Sequence, residues 1–139
     1  MSVHPAIIPC LVYADAPRAI HFLCAAFGFT RHAVHADGDV VHHAQLMLEG
    51  NILMLSSSRP ASHNKYGLVP IGALEGRSAL CINVVLDDPD THHARAAAAG
   101  ADIIGPPHDN DYGGRGYEAR DSEGILWCFG SYDPLADAG

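Results

Sequence analysis

The chain has 139 residues, enough for one domain or two small modules that share a core, and its 48% apolar content suits an ordinary globular fold. Sixteen acidic against eight basic residues give a formal charge of −8, which repels nucleic-acid phosphates and anionic membranes. No Lys/Arg stripe with interleaved aromatics offsets that balance, so neither partner is expected.

The N-terminal stretch "MSVHPAIIPCLVYAD" has no charged segment followed by a long apolar run, so it does not read as a signal peptide. No apolar stretch is long enough to span a bilayer. Cys10, Cys24, Cys81 and Cys128 are scattered without CxxC spacing and read as reduced thiols, consistent with a cytoplasmic location.

In chain order, "AIIPCLVYAD" is an apolar run that reads as a buried strand. Asp15 is placed to cap a helix, with Pro17 in its first turn, where a missing N–H costs nothing. Ile20, Leu23, Cys24 and Phe27 fall at i, i+3, i+4 and i+7 on one helix face, and Gly28 is placed to stop it. "FTRHAVHA" continues as a strand, "DGD" turns the chain, and "VVHHAQLMLEGNILMLSSS" makes two strands around Glu49, Gly50 and Asn51. The order is βαβββ.

The same order recurs. "ALCINVVLDD" is a second apolar strand, Asp88 and Pro89 open a second helix, and Gly100 closes it. "ADIIGPP" and the hairpin "GYEARDSEGILWCFGSY", turning at "DSEG", complete the set. Asp15 and Asp88 lie roughly 73 positions apart, which marks an internal duplication. Module one covers about residues 5–58 and module two about 79–134. The Gly-, Pro- and Ser-rich stretch between them, about 59–78, reads as a linker, long enough to be a functional loop.

Two βαβββ modules over residues 6–134, with "DAPRAIHFLCAAFGF", "VVHHAQLML" and "DYGGRGYEARDSEGILWCFGSYDP", resemble the vicinal oxygen chelate superfamily. Its members include glyoxalase I, bleomycin-resistance proteins, fosfomycin-resistance enzymes and extradiol dioxygenases, and the three stretches look like its broad bacterial glyoxalase/bleomycin-resistance-like group, some members of which are called PhnB-like. The resemblance implies an α+β fold whose curved mixed sheets form a cup, and a homodimer that completes two such cups. It also implies a site pattern, since metal-dependent members carry one ligand on the first and last strand of each module. Ile8, Met54, Cys81 and Cys128 occupy those positions here. Fe, Mn, Ni or Zn in such sites is held by imidazole or carboxylate, which none of the four supplies.

The expected function is therefore uptake of a small, partly aromatic or amphipathic molecule without a standard metal site, for sequestration, resistance or transport. No cofactor and no catalytic residue is expected. The alternative is a divalent-metal lyase, isomerase or dioxygenase with displaced ligands such as His43 and His35. Strand alternation puts His43, Gln45 and Met47 on the cup face, opposite Ala44, Leu46 and Leu48. The expected ligand contacts are His43, Gln45, Met54, Cys81, Asn83, Tyr112, Arg115, Tyr117 and Cys128, with Ile8, Cys10 and Val85 as further apolar lining. "YGGRGY" (112–117) reads as a glycine-loosened loop at the cup mouth, where Arg115 binds an anion or, in the bland reading, pairs with Asp109, Asp111 or Glu118. Trp127 reads as core, His92 and His93 as solvated, and Asp121, Glu123 and Gly124 as turn chemistry.

Overall fold

The computed structural model describes residues 3–136. β1 (Cys10–Tyr13), α1 (Ala16–Phe27), β2 (Thr30–Asp37), β3 (Val40–Leu48) and β4 (Asn51–Ser57) form one unit. β5 (Ile82–Val85), α2 (Pro89–Ala98), β6 (Asp102–Asp109), β7 (Arg115–Arg120) and β8 (Leu126–Gly130) form the other. Each sheet is mixed, in the order β1-β4-β3-β2 and β5-β8-β7-β6, so the first strand of each unit pairs in parallel with its last.

Local chemistry sets these boundaries. The Asp15 carboxylate accepts from the Arg18 amide at 3.2 Å and starts α1, while Gly28, at φ 86°, ends it in the left-handed region. The Asp88 carboxylate likewise accepts from the Thr91 amide at 3.1 Å and starts α2. Pro106 and Pro107 are tolerated in β6 because it is an edge strand, where a missing N–H leaves no neighbour unpaired.

One face of each sheet packs on the helices. Leu53 and Leu55 of β4, Ala44 and Leu46 of β3, and Trp127 and Phe129 of β8 are all buried there. Phe27 lies at the centre, with ring centroids 5.4 Å from Trp127 and 4.7 Å from Phe129. Full burial of an apolar side chain of this size stabilises by about 1.5–3 kcal/mol, so this aromatic cluster is a main source of cohesion between the units.

The second unit also satisfies both ends of α1. The Glu123 carboxylate accepts from the backbone amides of Ala14 at 2.8 Å and Asp15 at 2.7 Å. Arg95 donates to the carbonyls of Ala25 and Cys24, both at 3.0 Å, and His92 bonds the Phe27 carbonyl at 2.8 Å. An anion sits at the positive end of the helix dipole and donors sit at the negative end, which is the favourable polarity. Glu123 is thus a bridge between units rather than hairpin-turn chemistry. His92 is half-buried rather than solvated: its Nε2–H donates to Phe27, and its Nδ1 takes the Tyr117 hydroxyl proton at 2.5 Å.

Candidate functional site

The opposite face of each sheet, which we call the cup face, is the less buried one. On the first sheet it presents Cys10 and Val12 from β1, Ile52, Met54 and Ser56 from β4, and His43, Gln45 and Met47 from β3. Gln45 and His43 are joined at 3.0 Å, and His35 on β2 stacks on His43 with ring centroids 6.3 Å apart. Cys10 is the register partner of Met54; Ile8 precedes β1 in an extended segment.

On the second sheet the cup face carries Asn83 beside Cys128, and Cys128 beside Glu118. Cys81 stands just before β5, two residues ahead of Asn83 and near Cys128. Burial and then the Cys81 thiol push Cys128 up to about 11, so it stays a neutral thiol near pH 7. A hollow of about 160 Å³ opens here, bordered by Asn83, His108, Tyr112, Glu118, Cys128 and Tyr132. Tyr112 is 69% exposed and meets Tyr132 edge-on at 5.1 Å, so the pair stands at its rim. Glu118 Oε2 is buried without a hydrogen-bond partner, and Oε1 lies 3.6 Å from His108 Nε2. A second hollow, of about 360 Å³, lies where Val12 and Ser56 meet the connection between units, with Arg59, Lys65, Tyr66 and Leu68 around it.

Two expected contacts sit on the helix-facing side of their strand. "RGYEAR" is strand β7, so residues alternate, and Arg115 and Tyr117 share the helix-facing side. Tyr117 is 1% exposed although it is among the residues that border the small hollow, and burial raises its hydroxyl pKa well above the ordinary value. Arg115 grips Asp90, at the start of α2, through two bonds of 2.8 and 3.1 Å, and Asp109 through a third of 3.2 Å. Bonding to Arg115 holds the Asp90 carboxyl below the usual range. The glycines serve close packing: a Cβ on Gly114 would fall 2.6 Å from the Tyr132 amide nitrogen, and one on Gly116 would fall 2.7 Å from the Phe129 carbonyl oxygen.

The structure therefore gathers His43, Gln45 and Met54 on one face, and Cys81, Asn83, Tyr112 and Cys128 on the other. Sequence reasoning passed over Glu118, His108, Arg59 and Lys65. Alternation along β7 from its cup-facing Gly116 would have found Glu118. No local pattern points to the two linker cations.

The sequence matches the family model described as Glyoxalase/Bleomycin resistance protein/Dioxygenase superfamily over residues 3–129. The chain belongs to this superfamily. It is 30% identical over 132 residues to the uncharacterised protein Rv0887c of Mycobacterium tuberculosis, covering 94% of this chain and 76% of that protein. It is similar to the crystal structure of TioX from Micromonospora sp. ML1, with 32% identity and a TM-score of 0.71, covering 91% of this chain and 98% of that one. The fosfomycin resistance protein FosX from Mesorhizobium loti shares the fold, with a TM-score of 0.63 over both whole chains at 16% identity.

The metal chemistry found in parts of this superfamily needs a donor set, which the residues present can be tested for. Ile8 has no lone pair, Met54 offers a soft thioether, and burial, with Cys81 beside it, holds Cys128 as a neutral thiol. Among the described residues, no three His, Cys, Asp or Glu side chains converge so as to hold an ion. These residues do not fit a mononuclear Fe, Mn, Ni or Zn centre at the superfamily positions. Among the described residues no helix is long and apolar enough to cross a membrane.

Proposed function

We propose that the chain binds a small, partly aromatic or amphipathic molecule on its cup faces without covalent chemistry, for sequestration, resistance or transport. The observation that carries this reading is the lining. It combines thioether, thiol and aliphatic groups (Met54, Cys128, Ile52) with neutral hydrogen-bonding groups (Gln45, Asn83, Ser56), a surface suited to holding an apolar body and orienting a polar edge. The proposed anchors are His43 and Gln45 on one face and Asn83 and Tyr112 on the other, with Met54, Cys81 and Cys128 as soft lining. Titration with flat aromatic compounds, followed by calorimetry, should give saturable binding that Met54→Lys and Asn83→Ala weaken at least tenfold. Binding unchanged in both variants would sink the reading.

The partner we propose is a second copy of the chain. Val34, Val40, Val85 and Ile104 remain exposed on the sheets, and each cup face is only half a cup, so a symmetric dimer setting one module against its counterpart would cover both. Sedimentation equilibrium at micromolar concentration should return twice the chain mass; a monomer would overturn this.

A second reading, a divalent-metal enzyme, draws on one observation, the stacked His35–His43 pair on the first cup face. Elemental analysis decides between the two. Stoichiometric Fe, Mn, Ni or Zn that is lost in His43→Ala would replace the binding reading with the enzymatic one.

A further inference from the structure

We propose that the larger hollow is a site for a small organic anion, a carboxylate or phosphate ester on a flat ring, and that the connection between the units selects it. This deepens the cup-binding reading and rests on it. The floor of the hollow is part of the cup face, formed by Val12 of β1 and Ser56 of β4, and its wall is the segment carrying Arg59, His63, Lys65, Tyr66 and Leu68. At about 360 Å³ it falls within the range of about 300–1,000 Å³ in which small-molecule sites are found.

Its charge is the distinguishing feature. The chain carries twice as many acids as bases, yet among the described residues no carboxylate borders this hollow. Arg115 is held by two aspartates, and Arg95 and Arg120 donate to backbone carbonyls. Arg59 and Lys65 meet no carboxylate among the described residues, and of the similarly unpaired basic residues these two border the hollow. Two cations gathered at one concavity repel each other, and an anion between them would turn that repulsion into attraction.

The surroundings say what the anion would be attached to. Tyr66 is 79% exposed, and the Lys65 ammonium lies 4.9 Å from the centre of its ring. An aromatic face left to solvent beside Val12 and Leu68 offers a stacking surface for a flat ring. Arg59 supplies a planar fork for two oxygens, and the Ser56 hydroxyl adds a neutral donor on the floor. The loop is braced for this role, because the Asn64 amide donates to the Leu68 carbonyl at 2.8 Å across its turn.

Calorimetric titration with 2-naphthoate and with the neutral 2-naphthamide tests the proposal. The acid should bind about tenfold more tightly than the amide at low salt, and that preference should shrink as salt is raised. The Arg59→Gln/Lys65→Gln double variant should lose the preference while binding the amide as wild type does. Its melting temperature should be unchanged, since both side chains are exposed. Equal binding of acid and amide by wild type would overturn the anion site and leave the cup reading standing. Failure of both to bind would overturn the two together. A preference that survives in the double variant would also overturn the assignment to these residues.

Discussion

Replacing Asp121 with Ala should cost the fold about 3–5 kcal/mol, although the residue touches no candidate ligand site. Asp121 is a buried carboxylate that accepts five hydrogen bonds. Its Oδ1 takes the backbone amides of Glu123, Gly124 and Ile125 at 3.0, 3.1 and 3.1 Å, which closes the β7–β8 turn. Its Oδ2 takes the Tyr13 hydroxyl at 2.6 Å and the Trp127 indole N–H at 3.0 Å. One carboxylate thus ties the first strand of one unit to the last strand of the other. Burial first, and then the Asp121 charge, hold the Tyr13 hydroxyl well above its ordinary pKa, so it remains a donor.

Ala would leave three buried donors, the Tyr13 hydroxyl, the Trp127 indole N–H and the Ile125 amide, without their carboxylate, while the Gly124 amide keeps the residue-121 carbonyl; that loss is well beyond that of a surface change. Asp121→Asn should lie between, at about 2–3 kcal/mol. Its carbonyl oxygen can still serve the turn amides, whereas its NH₂ has no lone pair to offer Trp127. Urea unfolding followed by tryptophan fluorescence measures both, since Trp127 is the only tryptophan. An Ala variant within about 0.5 kcal/mol of wild type would show that the network does not hold the units together.

The second large effect is expected at His92, and it depends on pH. Burial, and then the nearby Arg95 charge, lower its pKa below the ordinary 6.5, against the opposing bond to the Phe27 carbonyl. A group whose folded pKa is depressed below its unfolded one is protonated first in the unfolded chain. Stability should therefore fall as pH drops through about 6.5 and level off below the lowered folded value. At pH 7.5, His92→Gln should cost about 1–2 kcal/mol from the lost bridge between Phe27 and Tyr117, and Tyr117→Phe about 1 kcal/mol. His92→Gln should also flatten the decline between pH 7 and 5 relative to wild type. Thermal unfolding across that range reads the difference, and parallel profiles for the two proteins would remove His92 from the acid response.

Much of the fold is legible without coordinates because its rules are local. Asp15 and Gly28 bracket α1 by capping, Asp88 begins α2 by the same means, and Ala44, Leu46, Leu53 and Leu55 fall on one face by alternation alone. The duplication carries that reading from the first unit to the second. Trp127 as core follows from the same alternation, because its neighbour Cys128 faces the other way.

The candidate site is less legible. "YGGRGY" reads as a loop on composition, since three glycines weaken any strand pattern, yet Arg115 and Gly116 already belong to β7, and Gly113 and Gly114 before them fit against Ser131 and Tyr132 just after β8. Once the segment is a strand, Arg115 and Tyr117 turn to the helices and Glu118 turns to the cup. A one-residue uncertainty in register decides which face each side chain joins.

What the sequence determined by itself is the pair of βαβββ units and the apolar stripes that make each a two-layer structure, because caps, turns and periodicity act within a few residues. What only the tertiary structure decided is how the units are fastened and where polar groups gather. Tyr13 and Asp121 lie 108 positions apart, Arg95 reaches α1 from 70 positions away, and the linker cations meet Val12 of β1 only once the first sheet has formed. Such contacts carry no local signature, since each partner alone is compatible with a solvated surface residue. Only burial of the shared aromatic core fixes the geometry in which they meet.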